Sequence, residues 1–108
     1  MHFVDTDFRW TTTGDPLETA LDTYDNPRKP HKRRYRCKTC GVCAVSYNKI
    51  TKRFSVYAGA VKRDADGKIL NWEIIKPTAH QFYGTRVMDI EDGLDKWEGY
   101  EGNSTRLG

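Results

Sequence analysis

Apolar and polar residues alternate most cleanly between Phe54 and Val61. Phe54, Val56, Ala58 and Ala60 fall on one parity, and Ser55, Tyr57, Gly59 and Val61 on the other. A period of two is that of a strand, whose successive side chains point to opposite faces. Val45 and Tyr47 repeat the pattern upstream and predict a partner strand across polar Asn48-Lys49. Leu70, Trp72 and Ile74 predict another strand, set between the Asp64-Ala65-Asp66-Gly67 turn and Pro77. His80, Phe82 and Gly84, alternating with Gln81 and Tyr83, predict one more. At the front, the stretch from Phe3 to Thr13 leans toward β structure and ends at Gly14-Asp15-Pro16. Leu17-Glu18-Thr19-Ala20-Leu21 is too brief to choose between a helical turn and a short strand. Asp25-Asn26-Pro27 and Pro30 mark a loop, and Lys32 to Cys37 is extended. Asp89 to Tyr100 is acidic loop with room for one helical turn. Short strands between turn signals predict a mostly β fold. The domain is expected over residues 1–101, with a flexible tail over 102–108.

Composition narrows this picture. At 108 residues the chain suits one small domain, with 37% hydrophobic and 31% charged residues. Such a domain has a thin core and calls for an additional staple. Twelve per cent aromatic residues, including three Trp and six Tyr, argue against disorder. No run approaches the roughly 18 apolar residues of a membrane-spanning helix. Met1-His2-Phe3-Val4-Asp5-Thr6-Asp7 has neither the basic nor the apolar region of a secretory signal. Three cysteines confined to residues 37–43 are odd in number and local, unlike a secreted disulfide framework. The expected compartment is therefore the reducing cytoplasm, or the nucleus.

The net charge of +3 conceals an uneven distribution. Both ends are acidic, whereas Arg28 to Lys38 is basic without one acid. Arg28, Lys29, Lys32, Arg33, Arg34 and Arg36 are candidate contacts to the phosphates of nucleic acid or to an acidic partner. Tyr35 among them could stack a base. Solvated loop surface is the plain alternative for such a run.

Cys37-Lys38-Thr39-Cys40-Gly41 has the spacing at which two sulfurs reach one tetrahedral zinc ion at about 2.3 Å. Gly41 suits a turn that needs positive φ after the second ligand. Lys38, Arg36 and Arg34 are expected to favour the thiolates. A structural zinc wants four protein ligands. Cys43 is a possible third ligand or a small packed residue, and His31 or His80 a possible fourth. A redox pair lacks its usual βαβ surroundings here.

Arg34-Tyr35-Arg36-Cys37-Lys38-Thr39-Cys40-Gly41 resembles the R-x-F-C-x-x-C-G signature of the glutathione-dependent formaldehyde-activating enzyme and centromere protein V family. Val56-Tyr57-Ala58-Gly59 is similar to the family strand ending in A-G. Lys76-Pro77-Thr78-Ala79-His80-Gln81-Phe82 is similar to its K-P-x-x-H-x-F strand. Asp92-Gly93-Leu94 and Glu98-Gly99-Tyr100 resemble its closing D-G-L and E-G-Y steps. Phe8-Arg9-Trp10 and Leu21-Asp22-Thr23-Tyr24 resemble the segments before the signature. The resemblance spans roughly residues 3 to 100. It implies a β-tent of small antiparallel sheets around zinc, carbon–sulfur lyase chemistry on a glutathione adduct, and Cys37 and Cys40 as zinc ligands. The family's further cysteine clusters, C-x-C and C-x-C-x-x-C, have no counterpart, since the first cysteine is Cys37. The expectation is a zinc-binding family member without a complete catalytic zinc site. Its metal would be completed by Cys43, by a histidine, or by a second copy of the chain in a homodimer. The alternative is a non-enzymatic module that binds through residues 28–38.

Overall fold

The computed structural model describes residues 1–11 and 14–108. Thr12 and Thr13, the last residues of the β-leaning opening stretch, lie outside the described residues. The chain is mostly β, as the alternation predicts. Where one domain over 1–101 is expected, the chain clusters into two compact units, Met1–Leu70 and Asn71–Gly108.

The first unit is a five-stranded antiparallel sheet made of β1 (His2–Val4), β2 (Leu21–Asp25), β3 (Lys32–Cys37), β4 (Cys43–Asn48) and β5 (Arg53–Val56). Its spatial order is β1-β5-β4-β3-β2, so the last four strands form a meander and β1 closes the far edge. Val45 pairs with Val56 and Tyr47 with Phe54, the partnership read from the pattern. The Asn48 side chain caps the β4–β5 turn by accepting from Ile50 N and Thr51 N at 3.0 and 3.2 Å. Across β2 and β3, Leu21 pairs with Cys37, Thr23 with Tyr35 and Asp25 with Arg33.

These pairings sort the side chains onto two unlike faces. One carries Phe54, Tyr47, Tyr35 and Val45, and residues 5–10 fold across it. A 3-10 turn at Asp5–Asp7 is tied to the sheet by Asp5 N donating to Lys52 O at 2.9 Å. The Tyr47 hydroxyl also donates to Asp5 Oδ2 at 3.0 Å. Phe8 then stacks on Phe54 with centroids 4.0 Å apart, and Trp10 meets Phe8 edge-on at 5.0 Å. Tyr35 lies 5.3 Å from Trp10, and Tyr47 4.6 Å from Phe54. Each such pair adds about 0.5–1.5 kcal/mol beyond its area burial. Aliphatic packing adds little, because among the described residues of this unit the buried apolar side chains are Leu21 and Val45.

A single turn of helix, α1 (Pro16–Thr19), precedes β2. The Asp15 side chain accepts from Leu17 N at 2.9 Å and Pro16 opens the turn, a favourable N-terminus that decides residues 17–19 for helix over strand. The strand expected through Val61 stops at Val56, and Ala58–Ala60 forms a 3-10 turn.

The second unit departs further from the pattern. The strand expected at Leu70, Trp72 and Ile74 is instead the helical turn α2 (Trp72–Ile75). Asn71 takes a left-handed backbone (φ 56°) immediately before it, which ends any two-residue alternation. Likewise β6 is only Ala79–His80, because Phe82 is left-handed (φ 56°) and leads into a 3-10 turn at Tyr83–Thr85. β6 pairs in parallel with β7 (Asp95–Lys96), a strand inside the stretch expected to be acidic loop. Tyr83 is the unit's buried anchor. Its hydroxyl accepts from Ile90 N at 2.8 Å, and the Arg86 guanidinium lies 4.6 Å over its ring. The expected tail is tied down as well. Leu107 N donates to Lys96 O at 2.7 Å, Lys96 N to Gly108 O at 2.9 Å and Glu98 N to Thr105 O at 2.9 Å. No helix among the described residues is long and apolar enough to cross a membrane.

Phe54→Ala removes the ring at the centre of the aromatic layer. It is expected to cost roughly 3 kcal/mol in urea unfolding, the lower end for a Phe that is only half-buried. The Arg33 guanidinium donates to both oxygens of Asp25 at 2.9 and 3.0 Å and holds that carboxyl below its usual range. A depressed carboxyl stabilises the fold at neutral pH and loses that contribution as pH falls through its folded-state pKa. Asp25→Asn should therefore lower the melting temperature at pH 7, with the gap to the parent closing in acid. A gap independent of pH would contradict this.

Candidate functional site

The five residues after Cys37, Lys38 to Val42, form the loop between β3 and β4, and hydrogen bonds fix its shape. Gly41 N donates to Cys37 O at 2.8 Å, and Cys37 N to Val42 O at 2.9 Å. Gly41 takes φ +75°, the positive value expected after the second cysteine of the pair. Lys38 clamps the loop from outside, with its backbone N on Ala20 O at 2.9 Å and its Nζ on Glu18 O at 2.8 Å. Cys37 is half-buried, Cys40 is exposed, and neither is in a disulfide.

The Cys37 thiol is pushed down from the ordinary range. The backbone N–H groups of Cys40 and Thr39 are the leading causes, followed by the Cys40 side chain. Amide donors aimed at a sulfur stabilise it as a thiolate. The cations expected to do this have other positions. The Lys38 ammonium is on Glu18 O, while Arg34 and Arg36 project from the opposite face of the sheet.

The other proposed ligands are not brought to this pair. Cys43 pairs with Arg36, after a register shift between Tyr35 and Arg36. Its sulfur lies 3.7 Å from Val45 O and 3.9 Å from the Tyr57 hydroxyl, on the face opposite Cys37. His31 is beyond the other end of β3, roughly 17 Å or more away by strand rise. His80 belongs to the second unit, where its Nε2 lies 2.8 Å from Asp92 Oδ2. Among the described residues, no group of three His, Cys, Asp or Glu side chains is arranged to hold a metal. Two thiols on a tight turn suit zinc in chemistry and spacing, and they would supply two of the four ligands a structural zinc takes.

The basic run divides in three. Arg28 and Lys29 lie exposed in the β2–β3 loop, where Asn26 Oδ1 accepts from Arg28 N at 2.9 Å. Arg33 is committed to Asp25 on the aromatic side of the sheet, with Lys49 3.6 Å from the same carboxylate. Lys32, Arg34 and Arg36 alternate onto the other face. There they join Tyr24, Arg53 and Tyr57, which the charge run alone does not single out. Arg53-Ser55-Tyr57 and Asp22-Tyr24 each show a two-residue step, and that was the available signal.

A concavity in the second unit is lined by His80, Phe82, Tyr83, Arg86 and Met88 among others, without a cysteine, serine or carboxylate. His80, one of its lining residues, pairs through Nε2 with Asp92 Oδ2 and ties Asp92 to β6.

Gly41→Ala meets open space but forces an L side chain into a left-handed backbone. It is expected to destabilise the first unit by roughly 1–2 kcal/mol in urea unfolding. It should also raise the pH at which Cys37 is alkylated by iodoacetamide, as the turn that aims the amides loosens. Comparison with protein-family models, with characterised proteins and with solved structures finds no match to this chain.

Proposed function

We propose that this chain is a zinc-binding β domain in which Cys37 and Cys40 supply two thiolate ligands and a second copy of the chain supplies the other two. The observation that carries the reading is the β3–β4 turn, where two backbone amides lower the Cys37 thiol pKa and a left-handed Gly41 lets the chain double back. The resemblance of residues 34–41 to the formaldehyde-activating enzyme and centromere protein V signature supports it from a separate direction.

The zinc is structural in this reading. A catalytic zinc has three protein ligands and an open position for water or substrate. Carbon–sulfur lyase turnover of a glutathione adduct is therefore not part of the proposal. Bound zinc adds folding free energy directly, since the unfolded chain presents no formed site. That suits a unit whose buried apolar side chains are Leu21 and Val45.

The test is zinc content measured together with solution mass on the full chain. About half an equivalent of zinc per chain is expected, with a dimer that falls to monomer on chelation. Cys37→Ser and Cys40→Ser should each abolish both zinc and dimer, whereas Cys43→Ser should retain them. Protein purified under reducing conditions that takes up no zinc would reject the reading. A full equivalent on a monomer would reject the shared site. Turnover of S-hydroxymethylglutathione by the zinc-loaded protein would replace the structural role with the lyase role.

A further inference from the structure

The sheet face opposite the aromatic layer is open, and it is strongly basic. Its central row runs Tyr24, Arg34, Ser46, Ser55 and His2, one residue from each strand. The adjoining row holds Lys32, Asn48, Arg53 and Val4. Arg36 extends the face on the far side, and Tyr57 follows Ser55 by two residues past the end of β5. The Tyr57 hydroxyl is 3.3 Å from Ser46 Oγ, which places it on this face. Four cations, Lys32, Arg34, Arg36 and Arg53, thus share one surface with a single strand acid, Asp22, opposite Arg36. Among the described residues none of these four makes an ion pair. The cations also act on one another's surroundings. His2 is held below its usual pKa first by burial and then by the N-terminus, Arg53 and Lys32.

Two exposed aromatic rings stand in this field. Tyr24 is 43% and Tyr57 48% exposed, and the Arg36 guanidinium lies 5.9 Å over the Tyr24 ring. Tyrosines that only filled space would be expected on the aromatic face, where the core lies. Here they occupy the polar face, three strands apart, with hydroxyl-bearing Ser46 and Ser55 between them.

We propose that this face binds single-stranded nucleic acid, with Lys32, Arg34, Arg36 and Arg53 on its phosphates and Tyr24 and Tyr57 stacking its bases. Charge complementarity selects a polyanion, and a guanidinium fork suits phosphate oxygens bidentately. The aromatics select bases, because every base has a π-face to stack. Width keeps the sheet out of a duplex major groove. Five strands about 4.8 Å apart make a platform roughly 19 Å across, whereas a major groove about 12 Å wide admits only a helix or a two-stranded ribbon. The inference is independent of the zinc reading, since no member of the face is a zinc ligand.

The test is fluorescence anisotropy of the full chain with a labelled oligothymidylate of about ten nucleotides. The same measurement uses a duplex of equal length and unlabelled polyglutamate as competitor. Four phosphate contacts predict a salt slope near −3, so affinity should fall roughly 50-fold between about 50 and 200 mM salt. Arg34→Gln should reduce the slope by about 0.7. Tyr24→Ala and Tyr57→Ala should each weaken binding at least about fivefold with the slope unchanged. Lys68→Glu, on the exposed turn after Asp64, should change little, and thermal melts confirm that each variant is folded. Tyrosine variants that bind like the parent, or polyglutamate competing as well as the oligomer, would assign the face to an acidic protein and overturn the proposal. Equal affinity for the duplex, or no salt-dependent binding, would also overturn it.

Discussion

A sheet built from this chain has one face that must be covered, and the chain has little aliphatic material with which to cover it. Aromatic rings supply most of the cover. Phe54 stacks on Phe8, Tyr47 packs against Phe54, and Trp10 bridges Phe8 to Tyr35. Because these residues sit at alternate positions of β3, β4 and β5, their burial fixes the register of all three strands. A slip by one residue would move every side chain of a strand to the other face. The polar groups are placed by the same constraint. Once Tyr35 is beneath the cover, Cys37 and Arg33 must share its side, and Arg34 and Arg36 must stand on the other. The thiol turn and the basic face are two consequences of one packing choice.

That choice leaves a narrow margin. Only Leu21, Val45 and Tyr83 are buried apolar side chains among the described residues, and large ones such as Ile50, Ile74 and Val87 remain outside. Surface ion pairs add little to such a balance, so Arg33–Asp25 and Arg86–Asp89 orient side chains more than they hold the fold. The two units answer the shortage differently. The second gathers backbone bonds around one tyrosine and pins its C-terminal residues to β7. The first relies on its aromatic layer and on the hydrogen-bonded turn at residues 37–42, where a bound metal would add most.

Strands whose faces differ in polarity were legible in the sequence. That Val45 and Tyr47 belong to a strand partnering the one from Phe54 could be read from the pattern, as could the extended run into Cys37 and the turn at Asp64-Gly67; the register of that pairing could not. Periodicity failed where one backbone angle decided the outcome. Trp72 and Ile74 kept a strand-like spacing, but a left-handed Asn71 starts a helical turn at that point. Phe82 ended β6 in the same way, and nothing about a phenylalanine announces a positive φ. The candidate thiols were legible from spacing alone. The cause of the lowered Cys37 thiol pKa was not, because backbone amides are present at almost every residue and only geometry selects two of them. The basic face was half legible. The run 28–38 showed its charge, yet Arg53, Tyr24 and Tyr57 come from strands distant in sequence.

The fate of Cys43 shows how much one residue of register can decide. Tyr35 pairs with Val45, and an unbroken antiparallel ladder from there would set Arg36 against Ala44 and Cys37 against Cys43. Cys43 would then share a face with Cys37 at the end of the β3–β4 hairpin, next to the loop that carries Cys40. The shift between Tyr35 and Arg36 places Cys43 opposite Arg36 instead, and its sulfur turns toward Tyr57. A bulge of this kind adds one residue to one strand and reverses the facing of the positions beyond it. No composition or spacing rule distinguishes the two arrangements, since both use the same seven residues. With the bulge, Cys37 and Cys40 are left as a pair rather than a trio, and the polar face gains a thiol beside Ser46 and Tyr57. The same irregularity therefore leaves two of the chain's three thiols at the turn and completes the surface on which Arg34 and Arg36 stand.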